Sequence, residues 1–445
     1  MLLLLLLFLP VLNSISGRSL TIPFSSSVFI AGILAFTIVI GMIAGVYPAL
    51  YLSRYRPVKV LKGIFVAGSG QLFRHTLVVS QFTLSIILII GAMVIYQQLT
   101  YMQNKDLGFD KSQLIYVRMK NELEEKATLL KHDLLQQASI EGVTKSSANL
   151  IDVNTSTYGI NWEGQQQEDK FIMSMMNIDP DFIPTTGMQL IAGENFRAGT
   201  TPDTSTSFLA NETAVRRMGW TPEQALGKTF RLWNHKGTIT GVVKDFHFRP
   251  LTAAIDPIVF YYAPKESYSW LLVKTKPNQT PGAIAALAQL YKKYESLTAM
   301  HYEFVDEGLA NQYRSEQKTG KIVLFFSVLA VIVSCLGLFG LSIYTIGQRI
   351  KEIGIRKVLG ASVGGIVVLL SKDFLKLVLL AILIASPIAW YATQQWLADF
   401  AYKIEVGWWI FLISGSIVIV IALLTISFQS ILAALMNPVK SLRSE

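Results

Sequence analysis

Apolar residues are gathered along this chain into long blocks separated by polar and charged segments. Five blocks are long enough to cross a bilayer, which takes about 20 residues in a helix: roughly 28–50, 77–97, 321–346, 373–393 and 408–430. A sixth block, 1–12, is shorter, and it lacks the basic start and small-residue cleavage site of a signal peptide. The pattern predicts a membrane α-helical protein with five to six transmembrane helices.

Two of these helices are expected to continue outside the bilayer. The helix over 74–102 ends in a polar and aromatic stretch, and a helical pattern from 307 leads directly into the span 321–346. A helix over 307–346 would be about 60 Å long, whereas the hydrocarbon core takes about 30 Å. We therefore expect two helical stalks that carry the chain between them away from the membrane.

The polar block between the stalks predicts an α+β domain. A strand–helix–strand unit lies at each of its ends, and the middle is richer in strands and turns. A helix after Asn121 would end near residue 138, and Thr280 with Pro281 opens another to about 295. Strands are predicted over 113–119, 143–148, 171–178, 207–211, 229–233, 237–248, 270–275 and 300–305.

The net charge of +9 is concentrated in three short segments. Segments 51–76, 347–376 and 431–445 hold thirteen Lys or Arg and three Asp or Glu. Basic residues mark cytoplasmic loops, so these segments are expected inside and 103–318 outside. Because the large outside block is close to neutral, nucleic acid is not expected as a partner, whereas membrane lipid is.

The most distinctive of the basic segments is 348–362, QRIKEIGIRKVLGAS, between two predicted spans. Helical spacing places Ile350, Ile353 and Val358 on one side and Arg349, Glu352 and Arg356 on another. This pattern is typical of a short amphipathic helix at a membrane surface. The alternative is a basic loop that only sets membrane orientation.

An internal repeat divides the membrane part of the chain. The letters PVK at 57–59 recur at 438–440, each after an apolar span, and a Leu followed by a basic residue comes next in both copies. One membrane unit thus ends near residue 62, and a second extends from about 321 to 445. The first unit has no counterpart of the 348–362 segment. Repeated membrane halves are common in transporters.

No catalytic constellation stands out in the sequence. The letters GKT at 227–229 lack the other glycine of a phosphate-binding loop, and the five histidines have no metal-ligand spacing. Asp245 to Phe248 follows an alternating strand and is interpreted as a structural turn rather than an acid–base pair. The single cysteine, Cys335, lies in a span, so no disulfide forms within the chain. We expect no enzyme activity, cofactor or metal.

Several motifs resemble those of MacB/FtsX-type ABC transporter permeases, of the long double-unit kind found in Bacteroidetes. They are KEIGIRKVLGAS at 351–362, NPVKSLR at 437–443, LGFD at 107–110, NETA at 211–214, ALGK at 225–228 and GVVKDF at 241–246. The resemblance implies the tail of a first FtsX-like unit over 1–62, a transmembrane and stalk helix over 74–102, a MacB-like periplasmic core over 103–318, and an FtsX-like permease domain over 319–445. Full-length relatives have a complete first half, so we expect this chain to be N-terminally truncated.

The resemblance also implies a function and partners. Segment 348–362 would be the coupling helix that docks on a separate cytoplasmic ABC ATPase, through Lys351, Glu352, Ile353, Gly354, Arg356, Lys357, Leu359 and Gly360. The chain would be an inner-membrane, multi-pass export or mechanotransmission subunit, paired with a second permease copy or half, and with a periplasmic adaptor and outer-membrane channel. Antimicrobial peptides, macrolides, lipoproteins and siderophores are the implied substrates. The alternative is an FtsX-like, non-transporting regulator of a periplasmic cell-wall hydrolase.

Overall fold

The computed structural model describes residues 2–17, 19–53, 69–120, 122–166, 169–197, 206–264, 266 and 268–435. Two compact units are present. The first, the helical unit, comprises Met1–Gln98, Glu316–Leu397 and Ile404–Glu445. The second, the α+β unit, comprises Leu99–Ser315 together with Ala398–Lys403. The motif at 437–443 and most of the basic stretch after residue 53 lie outside the described residues.

Helices and strands alternate in the middle of the chain, and long helices lie at both ends. The helices are α1 (Leu2–Ser16), α2 (Ser27–Ser53), α3 (Ser69–Asn104), α4 (Glu122–Glu125), α5 (Ala127–Leu135), α6 (Phe182–Thr186), α7 (Glu212–Arg217), α8 (Pro222–Ala225), α9 (Thr280–Tyr294), α10 (Val305–Gln312), α11 (Arg314–Gln348), α12 (Ile350–Val358), α13 (Val363–Ala398) and α14 (Trp408–Leu435).

The strands all lie in the α+β unit. They are β1 (Leu114–Arg118), β2 (Ile140–Ser146), β3 (Ser156–Thr157), β4 (Ile160–Trp162), β5 (Met173–Asn177), β6 (Leu190–Gly193), β7 (Thr206–Asn211), β8 (Thr229–Leu232), β9 (His235–Val243), β10 (Ile258–Tyr261), β11 (Trp270–Thr275) and β12 (Tyr302–Phe304).

Long apolar helices dominate the helical unit. Among the described residues, three are long and apolar enough to cross a membrane: Leu72–Asn104 in α3, Arg314–Gln348 in α11 and Trp408–Leu432 in α14. The predicted spans 28–50 and 373–393 each fall inside one continuous helix, α2 and α13. A shorter apolar segment, Ser27–Met42, lies in α2. The chain is therefore a membrane helical protein.

Four helices share the core of the helical unit. Phe82 of α3, Leu338 of α11, Val378 of α13 and Ile410 of α14 are all buried in one apolar cluster. Small residues let helices approach closely where lipid offers no hydrophobic driving force. The buried hydroxyls of Ser85 and Ser334 accordingly lie 3.0 Å apart between α3 and α11.

The α+β unit contains two sheets. The smaller has the strand order β12-β1-β11-β2 and is antiparallel throughout. It is formed by the two predicted strand–helix–strand units, β1-α5-β2 and β11-α9-β12, in the split arrangement typical of ferredoxin-like domains. Leu130 and Leu134 of α5 and Leu287 of α9 pack with Val273 of β11 in its buried core.

The larger sheet is formed by the middle of the unit. Its order is β3-β5-β10-β7-β9-β8-β4, with β6 paired to β9, and it mixes parallel with antiparallel pairs. Its core includes Phe208, Phe230 and Ile239. Helices α7 and α8 pack against the same core through Ala214, Val215 and Ala225.

Two predicted helices are interrupted. The helix expected over 307–346 breaks at Tyr313, whose backbone has φ −101° and ψ 14° and whose ring is buried. The Tyr313 hydroxyl accepts the backbone N–H of Leu251 at 2.9 Å. This bond fixes the position of the Tyr313 side chain and competes with a continuous, straight helix through residue 313. The helix expected to end near residue 138 is broken at Lys126, with φ −89° and ψ 4°. Asn121, its predicted cap, lies outside the described residues.

The smaller sheet offers a test of the core of the α+β unit. Leu271 is fully buried in β11, so Leu271→Ala should lower the free energy of unfolding by about 2–5 kcal/mol, since the cavity only partly collapses. Leu297→Ala removes a side chain that is 85% exposed and should change it by less than about 0.5 kcal/mol. Urea unfolding of the full chain in detergent micelles measures both. Equal effects of the two changes would contradict this core.

Candidate functional site

The segment 348–362 forms a short helix between two long ones. α11 ends at Gln348, α12 occupies Ile350–Val358 and α13 begins at Val363. Arg349 marks the bend before α12, and its backbone N–H bonds back to the carbonyls of Thr345 and Ile346. The Arg349 guanidinium lies 3.2 Å from the Asp373 carboxylate of α13. The start of α12 is therefore held against α13 by charge.

The end of α12 is set by glycine. Gly360 has φ +90°, a conformation that side chains disfavour. The N–H of Ala361 bonds to the carbonyl of Arg356 at 2.9 Å, and that of Gly360 to Lys357 at 3.1 Å. These two bonds form the Schellman motif that terminates helices. Ser362 then accepts the N–H of Gly365 at 3.2 Å and caps α13.

One face of α12 packs on its neighbours. Ile353 is buried in a small apolar cluster with Ile346 of α11 and with Ile366 and Leu370 of α13. Gly354 is buried beside it. These two predicted contact residues therefore hold the helix in place within its own chain.

The other face of α12 is exposed and mixes apolar with charged residues. Glu352, Arg356, Leu359 and Gly360 are exposed and Lys357 is half-buried. The Arg356 guanidinium lies 2.8 Å from the Glu352 carboxylate one turn earlier, in the favourable order for an (i, i+4) pair. Lys351 lies in the first turn of the same helix. Of the predicted contact residues, Ile353 and Gly354 are therefore buried, Glu352 and Arg356 are exposed, and Leu359 and Gly360 directly follow the helix.

The predicted apolar side of α12 requires correction at Val358. Val358 was expected beside Ile353, yet it is 66% exposed, and Ile355 and Leu359 are 52% and 79% exposed. Five residues separate Ile353 from Val358, which is about 500° of helical rotation and places them well apart around the axis. The exposed apolar residues Ile355, Val358 and Leu359 flank Arg356 and Lys357 in the sequence.

The motifs of the α+β unit meet in space. Asn211 is fully buried and caps α7 by accepting the N–H of Ala214 at 2.9 Å. Its amide donates to the Asp245 carboxylate at 2.9 Å. Thr213 donates to that carboxylate from its backbone at 2.8 Å and from its hydroxyl at 2.7 Å. The motifs at 211–214 and 241–246 are therefore joined by hydrogen bonds, and Asp245 has a structural role, as the sequence indicated.

The motif at 107–110 packs on the same place. Gly108 has φ +82°, and a Cβ there would lie 2.7 Å from the Asp245 carbonyl oxygen. The N–H of His247 donates to the Leu107 carbonyl at 2.8 Å. Only glycine at position 108 permits so close an approach to the Asp245 carbonyl. Burial lowers the pKa of His247, and the nearby Lys105 ammonium lowers it further.

The motif at 225–228 is part of the larger sheet. Gly227 has φ +77°, and its N–H donates to the Ile239 carbonyl at 2.9 Å. The Lys228 ammonium lies 2.5 Å from the Glu163 carboxylate and holds the pKa of Glu163 below its usual range. A phosphate-binding loop would use the Gly227 N–H and the Lys228 ammonium, but here the first bonds to Ile239 and the second to Glu163. No group of three metal-ligating residues occurs among the residues that the structure describes.

One packing segment was missed by sequence analysis. Residues 398–403, expected to be only a short loop between spans, belong to the α+β unit. The rings of Tyr402 and His247 meet edge-to-face at 4.7 Å. The aromatic residues at 400 and 402 are the sequence signal that could have indicated packing.

Comparison with solved structures identifies similar domains. The periplasmic region of MacB from Actinobacillus actinomycetemcomitans is 15% identical, with a TM-score of 0.34, and the match covers 47% of this chain and 97% of that one. A domain of a permease protein from Porphyromonas gingivalis is 18% identical, with a TM-score of 0.31 and coverage of 46% and 98%. The extracellular domain of the noncanonic ABC-type transporter YknZ from Gram-positive bacteria is 14% identical, with a TM-score of 0.31 and coverage of 43% and 98%. At these TM-scores the likeness is too weak to support a functional conclusion.

Family models give the assignment. The model described as FtsX-like permease C-terminal matches residues 324–438, and the model described as MacB-like periplasmic core domain matches residues 77–290. A search of curated proteins gave no match. The two domain matches extend from residue 77 to residue 438, with one gap between 290 and 324, and show that the chain belongs to the MacB/FtsX-type ABC transporter permeases.

Proposed function

We propose that this chain is the permease subunit of an ABC export or mechanotransmission system. A separate cytoplasmic ABC ATPase would dock on α12, and ATP hydrolysis there would move the α+β unit on the other side of the membrane. In this proposal the chain holds no nucleotide or catalytic site of its own. Its domains would be the tail of a first unit over 1–62, a stalk helix over 74–102, the core over 103–318 and the permease domain over 319–445.

The exposed face of α12 is the observation that carries this proposal. Ile355, Val358 and Leu359 are apolar and more than half exposed, and they flank Arg356 and Lys357 in the sequence. An orientation signal needs only positive charge, whereas a docking surface combines apolar area with charges that select a partner. The helix is also well defined at both ends, by Arg349 and Gly360. It is therefore suited to receive force as a rigid element.

Further partners follow from the proposed ATPase contact. Among the residues that the structure describes, α12 is the one helix of this kind, and a pair of ATPase subunits would bind two such helices, the second from another permease copy or half. A periplasmic adaptor and an outer-membrane channel would complete an export path from a bacterial inner membrane. The family supports the transport class more than the regulation of a cell-wall hydrolase, because the α+β unit carries a MacB-like core match over 77–290.

Charge reversal on α12 tests the docking. Arg356→Glu with Lys357→Glu should weaken co-purification of the ATPase roughly tenfold, because charge complementarity across the contact is inverted. Membrane insertion should stay normal, since acidic residues weigh little in orientation. The measurement is a pull-down at equal membrane levels of the permease and at physiological salt.

Two matched variants keep this result interpretable. Lys372→Glu reverses an exposed charge on the neighbouring helix α13 without touching the Arg349–Asp373 pair, and should leave ATPase binding unchanged. Arg356→Gln with Lys357→Gln removes the charges without placing a second carboxylate near Glu352, and should give an intermediate loss. Wild-type binding by the Arg356→Glu and Lys357→Glu variant would contradict the proposed contact.

A further inference from the structure

The connection between β9 and β10, residues 244–257, is long, irregular and partly buried. Phe246, Phe248 and Leu251 are at most 1% exposed. Connections of this length without helix or strand are uncommon in compact domains and are usually functional. We name residues 244–257 the junction loop. It lies entirely in the α+β unit.

The junction loop contacts the chain that follows α3. The His247 N–H donates to the Leu107 carbonyl at 2.8 Å, three residues beyond the end of α3 at Asn104. Gly108 fits against the Asp245 carbonyl with no room for a side chain. This attachment is rigid, because any shift of 107–108 would either break the bond or collide with the loop backbone.

A second attachment comes from the chain that leads into α11. The Leu251 N–H donates to the Tyr313 hydroxyl at 2.9 Å. Tyr313 is 5% exposed and stands at the break between α10 and α11. An unmade hydrogen bond on a buried N–H costs about 1–3 kcal/mol, so the loop and Tyr313 are expected to move together.

The third attachment comes from residues 398–403, between α13 and α14. The N–H of Ala401 donates to the Thr252 carbonyl at 3.1 Å, and that of Tyr402 to the Leu251 carbonyl at 3.3 Å. The Tyr402 ring packs edge-to-face on His247 at 4.7 Å. Leu251 thus bonds to two different segments, through its N–H and its carbonyl.

The loop is also tied to the larger sheet. Besides its bond to Asp245, the Asn211 amide donates to the Asp256 carbonyl at 3.1 Å. The Arg249 guanidinium lies 2.9 Å from the Asp256 carboxylate, and the Lys244 N–H donates to the Gln189 carbonyl at 2.8 Å. Displacement of the loop would therefore be passed to β7, β9 and α7.

We propose that the junction loop is the element through which movement of the membrane helices enters the α+β unit. Segments continuous with α3, α11, α13 and α14 each bond to it, so a shift in any of these helices reaches the same loop. The stalk helices alone would enter the unit at two separate points, whereas the loop combines them with the 398–403 segment. This inference rests on the proposed function, because the ATPase supplies the movement.

Hydrogen–deuterium exchange of the chain bound to its ATPase in nanodiscs tests this inference. ATP with vanadate should change amide exchange in α12 and in the junction loop of the wild type. Tyr313→Phe with Tyr402→Ala removes one hydroxyl acceptor and one ring contact. In this variant the nucleotide-dependent change in the loop should be reduced, because only the attachment at Leu107 and Gly108 and the backbone bonds of residues 401 and 402 remain, while the change in α12 persists. Unchanged nucleotide-free exchange in β11 would show that the unit remains folded.

Controls separate the two proposals. Tyr402→Phe keeps the ring, and Lys403→Ala alters an exposed neighbour, so both should respond as the wild type does. A wild type that responds in α12 but not in the loop would overturn this inference and leave the proposed function standing, as would a wild-type loop response in the Tyr313→Phe and Tyr402→Ala variant. No response at α12 in the wild type would overturn both.

Discussion

A pair of hydrogen-bonded side chains, the fully buried Asn211 and the half-buried Asp245, organises the α+β unit. Asn211 caps α7, accepts the Ile258 N–H at 3.0 Å and donates to Asp245, so it links strands β7 and β10 with the end of β9. Every one of these groups would be unsatisfied if the pair were lost, at about 1–3 kcal/mol each. The junction loop departs from β9 at this pair. Its irregular backbone is stable because side chains such as Asn211, which donates to the Asp256 carbonyl, supply the hydrogen bonds that a strand or helix would otherwise provide.

The helical unit obeys a different constraint. Hydrocarbon offers no hydrogen bonds, so the chain crosses it as long helices and places its few polar contacts, such as Ser85 with Ser334, between helices. α12 interrupts this pattern. It is short, contains Gly354 and is bounded by a bend and a Schellman motif. Its stability therefore comes from Ile353 and Arg349 rather than from intrinsic helicity, and its outer face is left available for a partner.

Periodicity predicted the elements well, and long-range contacts were beyond its reach. The strand at 270–275 was predicted at its observed bounds, because a short run of apolar and β-branched residues, followed by Pro277, defines it locally. The position of α12 was likewise predicted, but Val358 was assigned to the wrong face, since five residues correspond to about 500° of helical rotation and place it away from Ile353. The motifs at 107–110, 211–214 and 241–246 were identified in the sequence. Their meeting at Asp245 could not be predicted from the sequence, because it depends on the order of the strands in the sheet. The docking of 398–403 depends on tertiary packing in the same way.

The central claim places α12 and the α+β unit on opposite sides of a membrane. Cysteine accessibility measures this directly in a Cys335→Ala background, which removes the only native thiol. Gln166 is exposed in the α+β unit and Gln348 is exposed beside α12. An impermeant maleimide added to intact cells should label Gln166→Cys, and should label Gln348→Cys only after the membrane that holds the protein is permeabilised. Labelling of Gln348→Cys but not Gln166→Cys in intact cells, or of both alike, would contradict the account.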